Sequence, residues 1–353
     1  MTKAPHLIFM ITERCNCNCF FCSRNNLHTS TTDPSLEQLI KAFNILYNEY
    51  PLSKLILSGG EPTLSKYFTE IVAYTTNLYK KVEIQSNGTL STSIIDYIRP
   101  YMKKNLHLQV SLDGTAEFHD HIRGKNVFNQ VINVIQSLHD VHDHITISMT
   151  ITPRNFQHSL KLAQELNYLK FRKLKVSIVQ PLNPNAEELI TNKEWNEFVD
   201  TLLPLCYYPV DISKLFDFEM MDDFLASGRI WNGTTNCGRG KTHMYIQSNF
   251  NVLPCTCIPY SVGNLLEDNI SNIKERLAKS NDIVVSRKSV CYACKYRSIC
   301  NGGCPGYSIK VFGKIGMGDI RCPNVRSKAA EMGYYKKGID AGSSDIRIMA
   351  SAE

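Results

Sequence analysis

The chain has 353 residues, of which 43% are hydrophobic and 20% are charged, and its formal net charge is +6 at pH 7. This length exceeds that of most single domains, and the composition is that of a folded globular protein rather than a disordered one. The positive charge is modest and forms no basic block, which argues against a nucleic-acid partner. The sequence has no run of about 18 consecutive apolar residues, so we expect no membrane association and a cytoplasmic location.

Apolar, β-branched segments alternate with amphipathic segments over the first 180 residues. The predicted strands are 6–12, 54–60, 81–88, 106–114, 144–152 and 173–181. The predicted helices, whose apolar residues recur at i, i+3, i+4 and i+7, are 35–50, 91–102, 126–140 and 159–169. This alternation predicts an α/β fold with a parallel sheet. Six βα units are too few for a closed eight-stranded barrel, so we expect a partial (β/α)6 barrel with its chemistry at the carboxyl ends of the strands.

The pattern changes after the sixth unit. We predict a barrel over residues 1–205, a helical bridge over 206–235, a small cysteine-rich domain over 236–325 and a C-terminal tail over 326–353. Eight of the 13 cysteines lie between Cys237 and Cys322, in a segment with little apolar material. In a reducing cytosol, clustered cysteines more often bind metal than form disulfides, and metal would stabilise such a small domain.

The segment "RCNCNCFFC" directly follows the first predicted strand and contains four cysteines. Cys15, Cys19 and Cys22 have the spacing C-x3-C-x2-C, which suits one [4Fe–4S] cluster whose fourth iron has no protein ligand. A zinc site is the alternative, but it would normally need a fourth Cys or His nearby. Cys17 lies outside this spacing, and we interpret it as a small side chain that fills the loop.

This cysteine motif, with Phe21 just before its last cysteine, resembles the radical S-adenosylmethionine (SAM) superfamily. Further motifs of the family, "SGGEPTL", "QSNG", "SLDG" and "HDHIRG", come after the second, third and fourth predicted strands, so the resemblance extends over about residues 6–180. It implies that a reduced cluster cleaves SAM to a 5′-deoxyadenosyl radical, which removes hydrogen from a substrate. The cofactor-binding residues that the resemblance implies are Phe21, Gly59, Gly60, Glu61, Pro62, Ser86, Asn87, Ser111, Asp113 and Arg123.

The resemblance also implies a role for most of these residues. Gly59 and Gly60 would allow close approach of the backbone, and Glu61 with nearby carbonyls would receive the SAM amino group. Arg123 would pair with the SAM carboxylate. The remaining contacts to the ribose and carboxylate would come from the ends of the third and fourth strands, through Ser86, Asn87, Ser111 and Asp113.

The C-terminal cysteines resemble the SPASM extension that a subset of radical SAM proteins carries, with two auxiliary [4Fe–4S] clusters. Three clusters are therefore expected in all, and zinc is the alternative metal for this domain. The resemblance assigns the outer auxiliary cluster to Cys291, Cys294, Cys300 and Cys322. It assigns the inner auxiliary cluster to Cys237, Cys255 and Cys304. One departure from the family pattern is Phe250, which stands where a glycine is usual.

The fourth ligand of the inner cluster is left open by the sequence. Cys257 follows Cys255 by two residues, and His243 lies six residues after Cys237. We favour Cys257, with His243 and an open iron that binds substrate as alternatives. Cys206 is expected to be a core residue.

The resemblance to SPASM proteins implies that this chain is an oxidoreductase that modifies or crosslinks a side chain of a ribosomally made peptide. The alternatives are a dehydrogenase of a small-molecule alcohol such as a sugar or cyclitol, a side-chain oxidase of the sulfatase-maturase type, and an electron carrier, which would not need SAM-binding motifs. Thr256 stands where sulfatase maturases have an aspartate base, and the full set of SPASM cysteines favours the peptide. Because the chain begins at its first strand, we expect either a separate leader-binding protein or recognition of the peptide through the barrel mouth and the tail, together with an electron donor such as flavodoxin or ferredoxin.

Overall fold

The computed structural model describes residues 4–22, 33–179, 190–213, 218, 221, 240–280, 284–337 and 346–348. All six predicted strands are present and pair in parallel with their sequence neighbours. Their bounds are β1 His6–Thr12, β2 Leu55–Gly59, β3 Val82–Ser86, β4 Leu106–Ser111, β5 Ile145–Ile151 and β6 Lys173–Ile178. The predicted α/β class and the partial barrel are confirmed.

Helices connect these strands and cover one face of the sheet. They are α1 Leu36–Glu49, α2 Phe68–Leu78, α3 Thr92–Met102, α4 Ala116–Arg123, α5 Val127–Ser137, α6 Phe156–Glu165 and α7 Asn192–Leu202. Short 3-10 helices are found at Pro62–Leu64, His139–His144, Pro153–Asn155, Leu166–Tyr168 and Leu203–Leu205. The four predicted helices are confirmed as α1, α3, α5 and α6. Three helices of this set, α2, α4 and α7, were not predicted from periodicity.

The sheet continues beyond the six predicted strands at both edges. Strand β7, Val210–Ile212, pairs in parallel with β6, so the start of the range predicted as a helical bridge is instead a strand. Strand β8, His243–Ile246, pairs in parallel with β1 and forms a hairpin with β9, Asn251–Leu253. Strand β10, Gly263–Asn264, completes the described order β10-β9-β8-β1-β2-β3-β4-β5-β6-β7.

Alternate residues of the strands face opposite sides of the sheet, as the pleat requires. In β4, Leu106, Leu108 and Val110 are fully buried in the core that the sheet forms with the helices. Their neighbours His107 and Gln109 point to the other side, which is the inner face of the partial barrel. The inner face is polar over β3 to β6. This part of the sheet therefore forms a polar site rather than an apolar core.

The C-terminal region has its own small core and few regular elements. The helices are α8 Ile270–Lys279, α9 Arg297–Cys300, α10 Pro305–Phe312 and α11 Pro323–Glu331, and strands β11 Tyr335–Lys337 and β12 Ile346–Ile348 form an antiparallel pair. The side chains of Tyr307, Phe312, Ile320 and Val325 are buried together in this core. No helix in the described ranges combines the length and apolar character that a membrane span requires.

Candidate active site

The first cysteine loop lies at the carboxyl end of β1 and borders a cavity of about 300 Å³. Cys19 and Phe21 are buried, and the backbone N–H of Cys22 donates to the carbonyl of Cys19 over 3.0 Å, which closes the loop into a turn. The cavity is lined by cysteine-loop residues and by strand-end residues. These are Cys15, Cys17, Cys19, Phe21, Cys22, Ser58, Gly59, Gly60, Gln85, Ser86, Asn87, Gln109, Ser111, Arg123, Ser148, Thr150, Ser177 and Ile178.

The two glycines bring the end of β2 against the chain that leads into the cysteine loop. The N–H of Gly60 donates to the carbonyl of Thr12 over 3.0 Å. A Cβ atom on Gly59 would lie 2.3 Å from the carbonyl oxygen of Thr12, and one on Gly60 would lie 2.3 Å from that of Arg14. Such distances are impossible for a side chain, so both positions require glycine. The close backbone approach predicted for these glycines is thus made between the end of β2 and the chain that leads into the cysteine loop.

Glu61 connects the loop after β2 to the end of β3. Its carboxylate is fully buried and accepts hydrogen bonds from Ser86 Oγ at 2.9 Å, from the Asn87 N–H at 2.7 Å and from Thr63 Oγ1 at 2.8 Å. Burial raises the pKa of Glu61, although these hydrogen bonds act in the opposite direction. Glu61 and the buried Pro62 are not among the described cavity-lining residues, so their contacts with SAM stay predictions.

Asn87 connects the end of β3 to the cysteine loop. Its side-chain amide donates to Asn16 Oδ1 at 2.7 Å and to Cys17 Sγ at 3.2 Å. Ser111 Oγ donates to the carbonyl of Ser86 over 3.4 Å, which links β4 to the same strand end. The three residues predicted from "QSNG" and "SLDG" that line the cavity, Ser86, Asn87 and Ser111, thus lie side by side.

Arg123 and Asp113 form a buried ion pair at the edge of the cavity. Arg123 Nε donates to Asp113 Oδ2 over 2.6 Å, and Asp113 Oδ1 accepts from the Thr150 N–H over 2.9 Å. Burial alone would lower the pKa of Arg123, but the Asp113 carboxylate raises it above its usual value. Arg123 lines the cavity with its guanidinium carbon 5.6 Å from the centre of the Phe21 ring. Asp113 is fully buried behind Arg123, and its predicted contact with SAM stays a prediction.

The thiols of the loop fit an iron–sulfur cluster. A hydrogen bond from the Cys17 thiol lowers the pKa of Cys15 to about 6 and also lowers the pKa of Cys19, whereas the pKa of Cys17 itself is raised. Thiolates are the form of cysteine that binds metal. Cys15, Cys19 and Cys22 border one cavity, next to an aromatic ring and to a cation that can receive a carboxylate. This donor set suits a [4Fe–4S] cluster with one open iron beside bound SAM.

The second group of cysteines borders a separate cavity of about 220 Å³. The four thiols predicted for the outer auxiliary cluster all line it, together with Phe218, Met221 and Asp319 among others. Burial raises the pKa of Cys300 to about 12. This thiol is therefore neutral unless a metal binds it. Four cysteines that line one small cavity are the number of thiolates that a [4Fe–4S] cluster needs. The four residues are Cys291, Cys294, Cys300 and Cys322.

The residues predicted for the inner auxiliary cluster are only partly described. Cys237 lies outside the described residues. Cys257 is buried, and its backbone N–H contacts Cys255 Sγ at 3.3 Å. Burial raises the pKa of Tyr307, and the nearby Cys304 and Cys257 both contribute to that rise, so the two cysteines lie in one neighbourhood.

The alternative ligand, His243, lies at the amino end of β8. Its ring contacts the ring of His6 edge-on, with 5.2 Å between the centroids. Its Nδ1 atom lies 2.9 Å from the hydroxyl of Thr242. Phe250, in the turn between β8 and β9, adopts φ +67°, a left-handed conformation that favours glycine, while its side chain is buried. Phe250 thus adopts a backbone conformation that glycine usually provides.

Several polar residues of the cavity were not predicted. Except for Ser58 at the end of β2, they follow a pattern visible in "LHLQVS" and its neighbouring strands, in which a polar residue alternates with an apolar one. Because alternate residues of a strand share a face, these side chains belong to the inner face. They are Ser58, Gln85, Gln109, Ser148, Thr150 and Ser177.

Comparison with known proteins supports the same assignment for the barrel. Residues 9–166 match the family model described as the Radical SAM superfamily. The chain is 24% identical over 273 residues to the antilisterial bacteriocin subtilosin biosynthesis protein AlbA of Bacillus subtilis (strain 168), a match that covers 76% of this chain and 59% of AlbA. It is 27% identical over 328 residues to the AdoMet-dependent heme synthase of Methanosarcina barkeri (strain Fusaro / DSM 804), a match that covers 86% of this chain and 92% of that protein.

Among solved structures, SuiB of Streptococcus suis bound to precursor peptide SuiA superposes with a TM-score of 0.73 at 16% identity. This superposition covers 91% of the chain and 77% of SuiB, and it shows a shared fold. The match to AlbA spans less than two thirds of that protein's length. The cysteine spacing, the fold and the family model agree, and the chain therefore carries a radical SAM domain over residues 9–166.

Proposed function

We propose that this radical SAM enzyme oxidatively modifies or crosslinks a side chain of a ribosomally made peptide. The observation that carries the proposal is the cavity at the carboxyl ends of the strands, where Cys15, Cys19 and Cys22 lie beside Arg123. The peptide as substrate class is supported by the similarity to AlbA, a bacteriocin biosynthesis protein, and by the fold shared with SuiB, which was solved with its precursor peptide.

Each residue around the cavity has a defined part in this proposal. Cys15, Cys19 and Cys22 hold the cluster, and Arg123, kept charged and fixed by Asp113, receives the SAM carboxylate. When bound, the cluster and SAM supply the radical that removes a hydrogen atom from the substrate. The buried side chain of Phe21 would help to keep water away from that site, which limits side reactions.

The C-terminal cysteines are proposed to hold two auxiliary [4Fe–4S] clusters, which makes three clusters in the chain. Removing a hydrogen atom leaves an unpaired electron on the substrate, and a two-electron oxidation requires an acceptor for it. The cavity lined by four thiols suits such an acceptor. A separate leader-binding protein and an electron donor such as flavodoxin or ferredoxin are the proposed partners, and the cytoplasm is the proposed location.

The experiment uses anaerobically reconstituted protein. Three clusters predict about twelve iron atoms per chain. Replacing Cys15, Cys19 and Cys22 together by Ala should remove about a third of the iron and abolish the release of 5′-deoxyadenosine from SAM. Cys206→Ala is the matched control, because this half-buried thiol contacts the carbonyl of Leu202 at 3.4 Å and lines neither cysteine cavity among the described residues. SAM cleavage that survives in the triple variant would refute the assignment.

The substrate class is tested by mass spectrometry of a peptide encoded beside the gene and co-expressed with the enzyme. A loss of two mass units per crosslink, or per dehydrogenated side chain, is the expected result. A porphyrin is the competing candidate, because the similarity to a heme synthase covers 92% of that protein. Turnover of a porphyrin, or of a free sugar alcohol, with the peptide unchanged would contradict the proposal.

A further inference from the structure

Lys175 lies on the inner face of the barrel, two residues before Ser177, which lines the active-site cavity. Strand β6 buries Leu174 and Val176 completely under the helices, so Lys175 points to the inner face. In the sheet register Lys175 lies opposite Ser148, and Ser148 lies opposite Ser111. Both serines line the cavity. Lys175 therefore belongs to the same row of the inner face as two residues of the active site.

Two other cations of this part of the inner face have counterions, whereas Lys81 has no ion pair among the described residues. Lys54 forms an ion pair with Glu83. Lys173 forms an ion pair with Asp211 over 2.6 Å. In the part of the chain that the structure describes, no hydrogen bond or ion pair within 4 Å is found for the Lys175 ammonium group. Lys175 is thus a partly buried cation without a counterion in contact.

The charge of Lys175 acts on groups of several strands. It contributes to lowering the pKa of Glu83 on β3 and of Asp211 on β7, and of His243 on β8. Burial, the largest cause, lowers the pKa of Lys175 itself, while the carboxylates of Glu83 and Asp211, which do not contact it, act in the opposite direction. An ammonium group that is partly removed from water and lacks a contacting anion is costly, and a bound anion would offset that cost.

We propose that Lys175 is the cationic centre of a substrate subsite that binds a carboxylate group of the peptide, an acidic side chain or the chain end. This inference rests on the proposed function, because it names a feature of the substrate that the same site would take. A carboxylate fits better than a phosphate because Lys175 would be the single cation of the subsite, whereas phosphate sites usually gather several cations or a helix N-terminus. The hydroxyls of Ser148 and Ser177, which line the cavity, can donate to the same carboxylate.

The test measures binding without SAM chemistry. Lysine amines of the reconstituted enzyme are converted to ¹³C-dimethylamines, and the Lys175 resonance is assigned as the one missing in Lys175→Met. The probe is N-acetyl-glutamate amide, which carries one carboxylate, and its neutral counterpart is N-acetyl-glutamine amide. The expected result is a saturable shift of the Lys175 resonance with the glutamate probe and no shift with the glutamine probe.

In the variants, the affinity for the glutamate probe is measured from the shift of a resonance of the probe itself on binding. Lys175→Met should weaken probe binding by about tenfold or more, because a charge-assisted hydrogen bond is lost. Lys175→Arg should retain most of the affinity, and Lys41→Met, which changes an exposed lysine of α1, should leave it unchanged. A titration in saturating S-adenosylhomocysteine separates the two sources of a carboxylate. The glutamate probe should still bind there, and its full displacement would assign Lys175 to the cofactor and overturn the proposal.

Equal shifts with both probes, or unaltered affinity in Lys175→Met, would also overturn the subsite. Failure of the subsite is distinguishable from failure of the proposed function. Loss of probe binding in an enzyme that still cleaves SAM and modifies its peptide removes only the carboxylate subsite. Absence of SAM cleavage in the reconstituted parent enzyme removes the proposed function, whatever the probe does.

Discussion

The side-chain amide of Asn87 donates a hydrogen bond to Cys17 Sγ over 3.2 Å, and thereby joins the end of the third strand to the cysteine loop. The same amide donates to Asn16 Oδ1 over 2.7 Å. One side chain thus fixes two consecutive residues between the first two cysteines of the C-x3-C-x2-C motif. Loops that ligate a metal need such outer contacts to hold the ligands in place.

Asn87→Asp is expected to weaken the first cluster. The change removes both donors and places a carboxylate beside thiolates, so repulsion is added to the loss of two hydrogen bonds. Iron per chain should fall by up to a third, and the EPR signal of the reduced first cluster should weaken. Asn129→Asp, at an exposed position of α5, is the control and should match the parent enzyme. Unchanged iron and an unchanged EPR signal in Asn87→Asp would show that the loop holds its shape without Asn87.

Asp113 is expected to act on SAM through Arg123. Arg123→Ala should weaken SAM binding with the clusters intact, because the partner of the SAM carboxylate is lost. Asp113→Asn should also weaken it, since the guanidinium loses its fixed position and its buried counterion. In a double-mutant cycle the two losses should not add, so that the double variant binds SAM about as well as Arg123→Ala. Additive losses in SAM affinity would mean that Asp113 contacts the cofactor independently.

His119 is expected to make the protein less stable in acid. It is fully buried, its Nδ1 accepts a hydrogen bond from the Asp113 N–H over 3.2 Å, and its Nε2 is without a partner among the described residues. Burial lowers the pKa of His119 to about 4 from an ordinary value near 6.5. The unfolded chain therefore binds the proton more readily between these pH values, and stability falls as pH decreases from about 6.5 to about 4.

Between pH 7 and pH 5 this histidine alone should reduce the free energy of unfolding by about 2 kcal/mol. The measurement is urea denaturation at both pH values and at equal cluster content. His119→Asn keeps an acceptor for the Asp113 N–H and cannot titrate, so its pH dependence should be smaller by about that amount. If the variant and the parent lose stability in parallel, His119 is not the group responsible.

Cys257 is expected to complete the inner auxiliary cluster. Cys257→Ala should leave three thiolate ligands and change the EPR signature of that cluster, while His243→Ala should change little. The buried position of Cys257 next to Cys255, and the contact of His243 with His6, agree with this order of preference. If His243→Ala alone alters the spectrum, histidine is the ligand and the cluster of the parent enzyme should have a high potential. If neither variant changes it and added peptide does, the fourth iron is open.

The strands and the cysteine motif could be predicted because they are local properties of the sequence. An apolar, β-branched run such as that of β5 specifies a buried strand by itself, and the spacing of Cys15, Cys19 and Cys22 specifies a ligand set. The contacts that a polar side chain makes are not a local property of the sequence. The position of Glu61 after β2 follows from the sequence, but its hydrogen bonds to Ser86 and the Asn87 backbone depend on the register between β2 and β3.

Two further features could not be predicted from nearby residues. The alternation in β6 indicates that Lys175 faces away from the helices, but its distance from the ion pairs of the neighbouring strands depends on the register of the sheet. The pairing of β8 with β1 joins segments more than about 200 residues apart in the sequence, and no periodicity in either strand predicts it. Helix α2 escaped prediction because it is rich in threonine, which is a poor helix former; Thr75 and Thr76 satisfy their hydroxyls on carbonyls four residues earlier.

The parallel pairing of His6 with His243 has a consequence for how the protein is made. Strand β1, which leads into the first cysteine loop, has a neighbour on one side as soon as β2 is synthesised. Its other edge stays open, with unpaired N–H and C=O groups, until the ribosome has completed the hairpin of β8 and β9. An unfinished chain therefore exposes an unpaired strand edge, which could pair with another chain, next to the cysteines of the first loop. A chaperone or a cluster-delivery protein that shields this edge would act on the nascent chain, before the C-terminal hairpin takes its place.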